Sequence, residues 1–112
     1  MIIVSCDTIP GKKIVKTHGF VRGNTIRARS VGKDILAAFR ILVGGEVHEY
    51  TKLMAETREQ ALDRMREEAE ALGANAIVAV RFSTSEIATH AAEILVYGTA
   101  VSIVDDPEFA EE

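Results

Sequence analysis

Residues 93–104 read EILVYGTAVSIV. In an extended chain Ile94, Val96, Gly98, Ala100, Ser102 and Val104 share one face, and Leu95, Tyr97, Thr99, Val101 and Ile103 share the other. Past Glu93 neither face carries a charge. A strand with one solvated face alternates apolar and polar residues. This one does not, so it calls for cover on both sides. The chain has 112 residues, enough for one domain with a modest core. One layer of helices would leave the far face of its sheet bare, and an exposed apolar face of that extent marks an interface. The strand therefore predicts a sheet backed by helices and a homo-oligomer.

The neighbouring elements fit an α+β subunit. The run NAIVAVRF, residues 75–82, is the second clear strand. IIVSC, residues 2–6, is a short β-rich run ended by Asp7 and the Pro10-Gly11 turn signal. KIVKTHGFVR, residues 13–22, alternates: Val15, Thr17, Gly19 and Val21 against Ile14, Lys16, His18, Phe20 and Arg22. Gly23-Asn24 reads as a hairpin turn or kink, and TIRAR after it as a further extended piece. ILAAFRILV, residues 35–43, is a short apolar helix behind the N-cap candidate Asp34, ended by Gly44-Gly45.

A long helix is predicted over 46–72. Val47, Tyr50, Met54, Ala61, Met65, Ala69 and Leu72 form its apolar stripe, widened by Leu53 and Leu62. Arg64/Glu68 and Arg66/Glu70 stand one turn apart, where pairs contribute about 0.2–0.5 kcal/mol each. Thr57-Arg58-Glu59-Gln60 matches a capping box and marks a candidate break. Gly73 is the expected C-terminal cap. The predicted order is β-β-(β)-α-α-β-β in an antiparallel sheet. Residues 1–104 form one domain, and 105–112, DDPEFAEE, an acidic frayed tail.

Composition narrows the function classes. No apolar run is long enough to span a bilayer, and MIIVSCDTIPG has no basic flank or long apolar region. A single cysteine, Cys6, forms no internal disulfide, so the expected setting is cytoplasmic. The net charge of −4 divides into +6 over residues 1–45 and −10 over residues 46–112. A basic half can meet an anionic partner or the acidic half of a neighbouring subunit. Aromatic side chains able to stack on bases are scarce and no recognition motif is present, which argues against nucleic acid.

GGEVHEY, residues 44–50, gathers two acids and a histidine. A zinc-protease helix needs a second histidine four residues after the first, and Lys52 stands there instead of His. His48 falls on the polar side of the helix. Glu46 and Glu49 suit a first turn, favoured by the helix dipole by roughly 0.3–1 kcal/mol each. Cys6, His18, His48 and His90 have no local ligand spacing, so a soft-metal site would need them joined in space, within a subunit or around a symmetry axis. Cys6 at a strand end reads first as a small packed hydrophobe, and His18 and His90 have no evident partner. No Gly-x-Ser-x-Gly elbow, P-loop or dinucleotide fingerprint occurs. No catalytic residue is assigned.

The order of these pieces resembles the YbjQ family of small bacterial and archaeal proteins. The resemblance rests on Gly44-Gly45-Glu46 with Tyr50-Thr51, on Gly73-Ala74-Asn75-Ala76, and on Tyr97-Gly98-Thr99-Ala100-Val101. It spans about residues 18–104. It implies an α+β subunit, an antiparallel sheet backed by helices, assembled as a ring-like homopentamer. It also brings a heavy-metal-binding label without an agreed ligand set, so no metal residue is assigned. The motif glycines and Asn75 are read as structural. Three readings follow: a non-enzymatic homo-oligomer, a metal-binding protein using Cys6 and histidines, and a small-molecule module or enzyme with its site between subunits.

Overall fold

The computed structural model describes residues 1–28, 47–88 and 91–110. Four strands form one sheet: β1 (Ile2–Ile3), β2 (Lys12–Ala28), β3 (Ala76–Ala88) and β4 (Ala91–Asp105). Helix α1 (Val47–Ala71) lies between β2 and β3 in the chain, and a short helix α2 (Pro107–Ala110) follows β4. The strand order across the sheet is β1-β3-β4-β2. The central strand β4 is the one whose two apolar faces were legible in the sequence. It pairs antiparallel with both β2 and β3, while β1 pairs parallel with β3.

The sheet is therefore mixed, not antiparallel throughout. After β1 the chain turns back through β2 and α1 before it reaches β3, so β1 and β3 run the same way. The predicted short helix at 35–43 and its Gly44-Gly45 terminus lie outside the described residues.

Gly23-Asn24 is neither a turn nor a kink. β2 runs through it, with Gly23 opposite Val96 and Asn24 opposite Leu95, and Thr25, Ile26, Arg27 and Ala28 of the TIRAR run belong to the same strand. The glycine is required by packing. A Cβ at position 23 would fall 2.6 Å from the Met65 amide nitrogen and nearer still to the Ala61 carbonyl oxygen. The helix backbone thus rests directly on the strand backbone. Ala61, Met65 and Ala69 of α1 are fully buried against Val21 of β2, Ile94, Val96 and Ala100 of β4, and Ile77 and Val80 of β3. Gly98 makes room in the same way, since a Cβ there would meet Ile77 Cγ2 at 2.8 Å and Val80 Cγ2 at 3.0 Å.

The predicted stripe holds for Met54, Ala61, Leu62, Met65 and Ala69. Leu72 departs from it and is 46 % exposed, because it sits past the last helical turn. The side chains of Val47, Tyr50 and Leu53 lie outside the described ones. The helix does not break at Thr57, which is buried inside it. The anticipated one-turn pairs are replaced. Arg66 pairs with Asp63 at 3.3 Å, and Arg64 donates to the Asn24 carbonyl across the helix–sheet contact.

Two irregularities reset the alternation of β2. The register slips once between Ile14 and Lys16 and again between Thr17 and Gly19. Each slip inserts a residue and swaps the faces that follow. Thr17 therefore stands opposite Val101, and Gly19 opposite Ala100. From Gly19 to Ala28 the pairing is regular. On the face away from α1, Ala76, Val78, Val101 and Ile103 form a second cluster covered by Val4 and Ile9 of the N-terminal segment.

Two substitutions in β2 should shift stability in opposite directions. Gly23→Ala drives a methyl into helix backbone and should cost about 1–3 kcal/mol or more in urea unfolding. Thr25 Oγ1 is buried without a hydrogen-bond partner among the described residues. Thr25→Val removes that orphan at nearly constant shape and should gain about 1 kcal/mol in the same experiment.

Candidate functional site

The polar groups with chemical potential collect where α1 ends and β3 begins. The helix terminates in a Schellman arrangement: Gly73 has φ 86°, its N–H donates to Glu70 O at 3.0 Å, and Ala74 N–H donates to Ala69 O at 3.1 Å. Gly73 is the predicted cap. Two residues later Asn75 donates through Nδ2 to Ile103 O at 2.9 Å and accepts from Ile103 N–H at Oδ1 at 2.7 Å. Its own N–H donates to Val101 O at 3.1 Å, and its carbonyl accepts from Ile2 N–H at 3.4 Å. The carboxamide stands in for a peptide unit and ties β3 to β4. Asn75 is structural as expected, as a backbone mimic and not through a turn.

His18 reaches the same junction. It is the extra residue between the paired Thr17 and Gly19. Its Nε2 is 2.7 Å from Ser102 Oγ in a partly buried contact, and its Cε1 lies against Gly73. The sequence left His18 without a partner. Strict alternation placed it beside Phe20, and the slip in β2 removes it from that face. A serine hydroxyl held by an imidazole is the first half of a nucleophile–base pair. A working base also needs a third group to orient it, and among the described residues the other ring nitrogen has no such partner. The pair fastens the start of β2 to the end of β4.

Cys6 is exposed, not packed, and its carbonyl accepts the Ala79 N–H at 2.8 Å. That bond holds the N-terminal segment along β3, where Ala79 takes a left-handed φ of 55° at a register slip. His90 and the side chain of His48 lie outside the described residues, as do Glu46 and the side chains of Glu49 and Lys52. A soft metal site takes three or four donors. Among the described residues no three His, Cys, Asp or Glu side chains come together. The described part of one chain thus supplies no ligand set for a heavy metal, and no chemistry is derived through one. No described helix is long and apolar enough to cross a membrane.

At the same end of the β2–β4 pair, Lys12 forms an ion pair with Asp105. The Lys12 ammonium, first by its hydrogen bond and then by its charge, holds the Asp105 carboxyl below the usual carboxylate range. Its folded pKa is lowered, so the pair's contribution is complete above the ordinary carboxylate range. It is lost as pH falls through the depressed folded value. Solvent screening keeps it small. An NMR titration of the Asp105 carboxyl should give a depressed midpoint that rises towards the ordinary value in Lys12→Met. At the helix–β3 junction, Asn75→Leu leaves the Ile103 N–H and C=O without their side-chain partners. It should cost about 1–3 kcal/mol in urea unfolding.

The sequence was compared with known proteins. A family model described as "Putative heavy-metal-binding", that of the YbjQ family, matches residues 1–104. A UPF0145 protein of Methanosarcina acetivorans is 55% identical over 94% of this chain and 99% of the relative. One of Clostridioides difficile is 51% identical over the whole of both chains, and one of Thermosipho melanesiensis is 56% identical over 93% of this chain and 96% of the relative. Among solved structures, a DUF74-family protein of unknown function from Pediococcus pentosaceus shares the fold. The TM-score is 0.58 at 16% identity, covering 95% of this chain and 98% of that one. The chain belongs to the YbjQ family, UPF0145.

Proposed function

We propose that the protein is a non-enzymatic subunit of a homo-oligomer, a ring of five by family resemblance, joined through the side of the sheet that α1 does not cover. The observation that carries this reading is the set of apolar side chains left in solvent on that side. Phe20, opposite Thr99, is 61 % exposed, and Ile26, opposite Glu93, is 53 % exposed. Phe20 lies 5.9 Å from the Tyr97 ring, which extends the apolar surface onto β4. Burying such half-exposed side chains in a neighbour is worth on the order of 1 kcal/mol each.

The shape supports the same reading. The radius of gyration is 18.4 Å, against about 13 Å for a compact chain of this length. The longest dimension, 58 Å, is about the length of seventeen extended residues, the span of β2. A strand that long outruns the core one chain can build around it.

The test is molar mass by light scattering at micromolar concentration. The wild type should run as a multiple of 12.2 kDa, and a well-folded monomer would end the proposal. Phe20→Glu with Ile26→Glu alters only side chains that one chain leaves exposed. This variant should give a folded monomer with unchanged circular dichroism. The family's metal label is compatible with this assembly through donors from more than one chain, with the exposed Cys6 thiol as one. Saturable calorimetric binding of zinc or cadmium ions, lost in Cys6→Ser, would support that extension.

A further inference from the structure

Three strands set a basic and aromatic row on the side of the sheet away from α1. Arg22 of β2 and Arg81 of β3 both stand opposite Tyr97 of β4, one on each flank. Residues directly opposite across a sheet share a face, so the three project together. Their chain neighbours Val21, Val80 and Val96 belong to the core beneath the helix, which puts the row on the other side. Phe20, two residues before Arg22, joins it with its ring 5.9 Å from that of Tyr97 and tilted 30° to it. In the sequence Phe20 is the one aromatic residue of the basic stretch, and Tyr97 reaches it only through the fold.

Neither guanidinium has an acidic partner among the described residues, whose ion pairs are Lys12–Asp105 and Arg66–Asp63. Arg22 is exposed. Arg81 donates through Nη1 to the carbonyls of Ser5 and Val80 at 2.7 and 2.9 Å. These bonds fix the group and leave Nη2 and Nε for another acceptor. Glu93 is on the same face but four residues before Tyr97 in β4, about 13 Å along the strand. β2 itself carries Lys12, Lys13, Lys16, Arg22 and Arg27 and no acid, so it draws anions.

The assembly sharpens this demand. Phe20 and Ile26 bracket Arg22 on β2, and a neighbour that covers both covers Arg22 as well. A guanidinium withdrawn from water without a counter-charge is costly. The surrounding residue types select the anion. Guanidinium forks match the oxygens of a phosphate. The Phe20 ring, 61 % exposed, offers a face to a planar group, and aromatic rings stack on nucleobases without regard to sequence.

We propose that Arg22, Tyr97 and Arg81, with Phe20, form a nucleotide-binding site: the guanidinium groups and the Tyr97 hydroxyl take the phosphate, and the Phe20–Tyr97 pair takes the base. The proposal rests on the homo-oligomeric reading, in which a second copy supplies the other wall of the site.

Calorimetric titration with AMP, inorganic phosphate and a short oligouridylate tests it, with light scattering on the same samples. AMP should bind saturably and more tightly than phosphate, and should compete with the oligouridylate. Arg22→Gln should weaken AMP and phosphate alike, by about tenfold. Phe20→Leu keeps an apolar side chain for the subunit contact and removes the ring. It should weaken AMP and leave phosphate unchanged, a split that a merely structural role would not produce. An oligomer that binds neither AMP nor phosphate would overturn the site and leave the assembly standing. AMP binding unchanged in both variants would overturn it too, by placing the ligand elsewhere. Oligouridylate binding that AMP does not displace would overturn it in favour of a nucleic-acid strand. A monomer that binds AMP through Arg22 and Phe20 would uphold the site and remove the assembly, and a monomer that binds no AMP would remove both.

Discussion

The contact of α1 with β2 at Gly23 constrains the rest of the fold. Backbone meets backbone there, closer than any side chain would allow. A helix seated so low can bury only small or slender groups beneath it, and its fully buried residues are Thr57, Ala61, Met65 and Ala69. Val21 and Thr25, on either side of Gly23 on the same face, are buried as a result. Gly98 on β4 keeps β3 close from the other direction. One helix lying over β2 and β4 thus covers much of one face of the sheet, with Phe82 on β3 left exposed beyond it, and the opposite face must find its cover elsewhere.

Part of that cover comes from the N-terminal segment. Val4 and Ile9 pack on Val78, Val101 and Ile103, and the segment follows β3 as far as Val80. Asn75 makes this arrangement coherent, since its side chain binds β4 while its backbone binds both β4 and β1. The end of α1, the start of β3, the end of β4 and the first strand therefore form one junction, to which His18 and Ser102 fasten β2. The family's sequence pattern around Gly73 and Asn75 has a structural explanation there: a left-handed cap followed by a side chain shaped like a peptide.

Local physics was legible in the sequence, and contacts between distant residues were not. The helix expected over 46–72 is observed over Val47–Ala71, because its apolar period and its capping glycine are properties of neighbouring residues. β4 was legible because both its faces are apolar. Gly23 was misread because a glycine followed by asparagine is a turn signal on local grounds. Only the helix, some forty residues later, shows that the missing Cβ is what matters. The bulges in β2 leave no mark in composition, so the face of Thr17 and the partner of His18 could not be deduced. Ser102 is 84 residues from His18 and was missed. The parallel pairing of β1 was hidden as well, since a two-residue strand has too little pattern to fix its direction.

Among the described residues the sheet has a half-covered face and half-open edges, and both have a common origin in lengths. β2 has 17 residues, β3 has 13 and β4 has 15, whereas β1 has two. The N-terminal segment is too short to run beside the whole of β3, and its end leaves edge and face open at the same level of the sheet. Phe20, Ile26 and Phe82 stand on the open strands. In an isolated chain they would be exposed apolar side chains beside partly unpaired edges, a hazard for uncontrolled pairing. In the proposed homo-oligomer a donor set for a metal would be a property of the assembly, because the exposed Cys6 is brought together with no cluster of described donors inside its own chain.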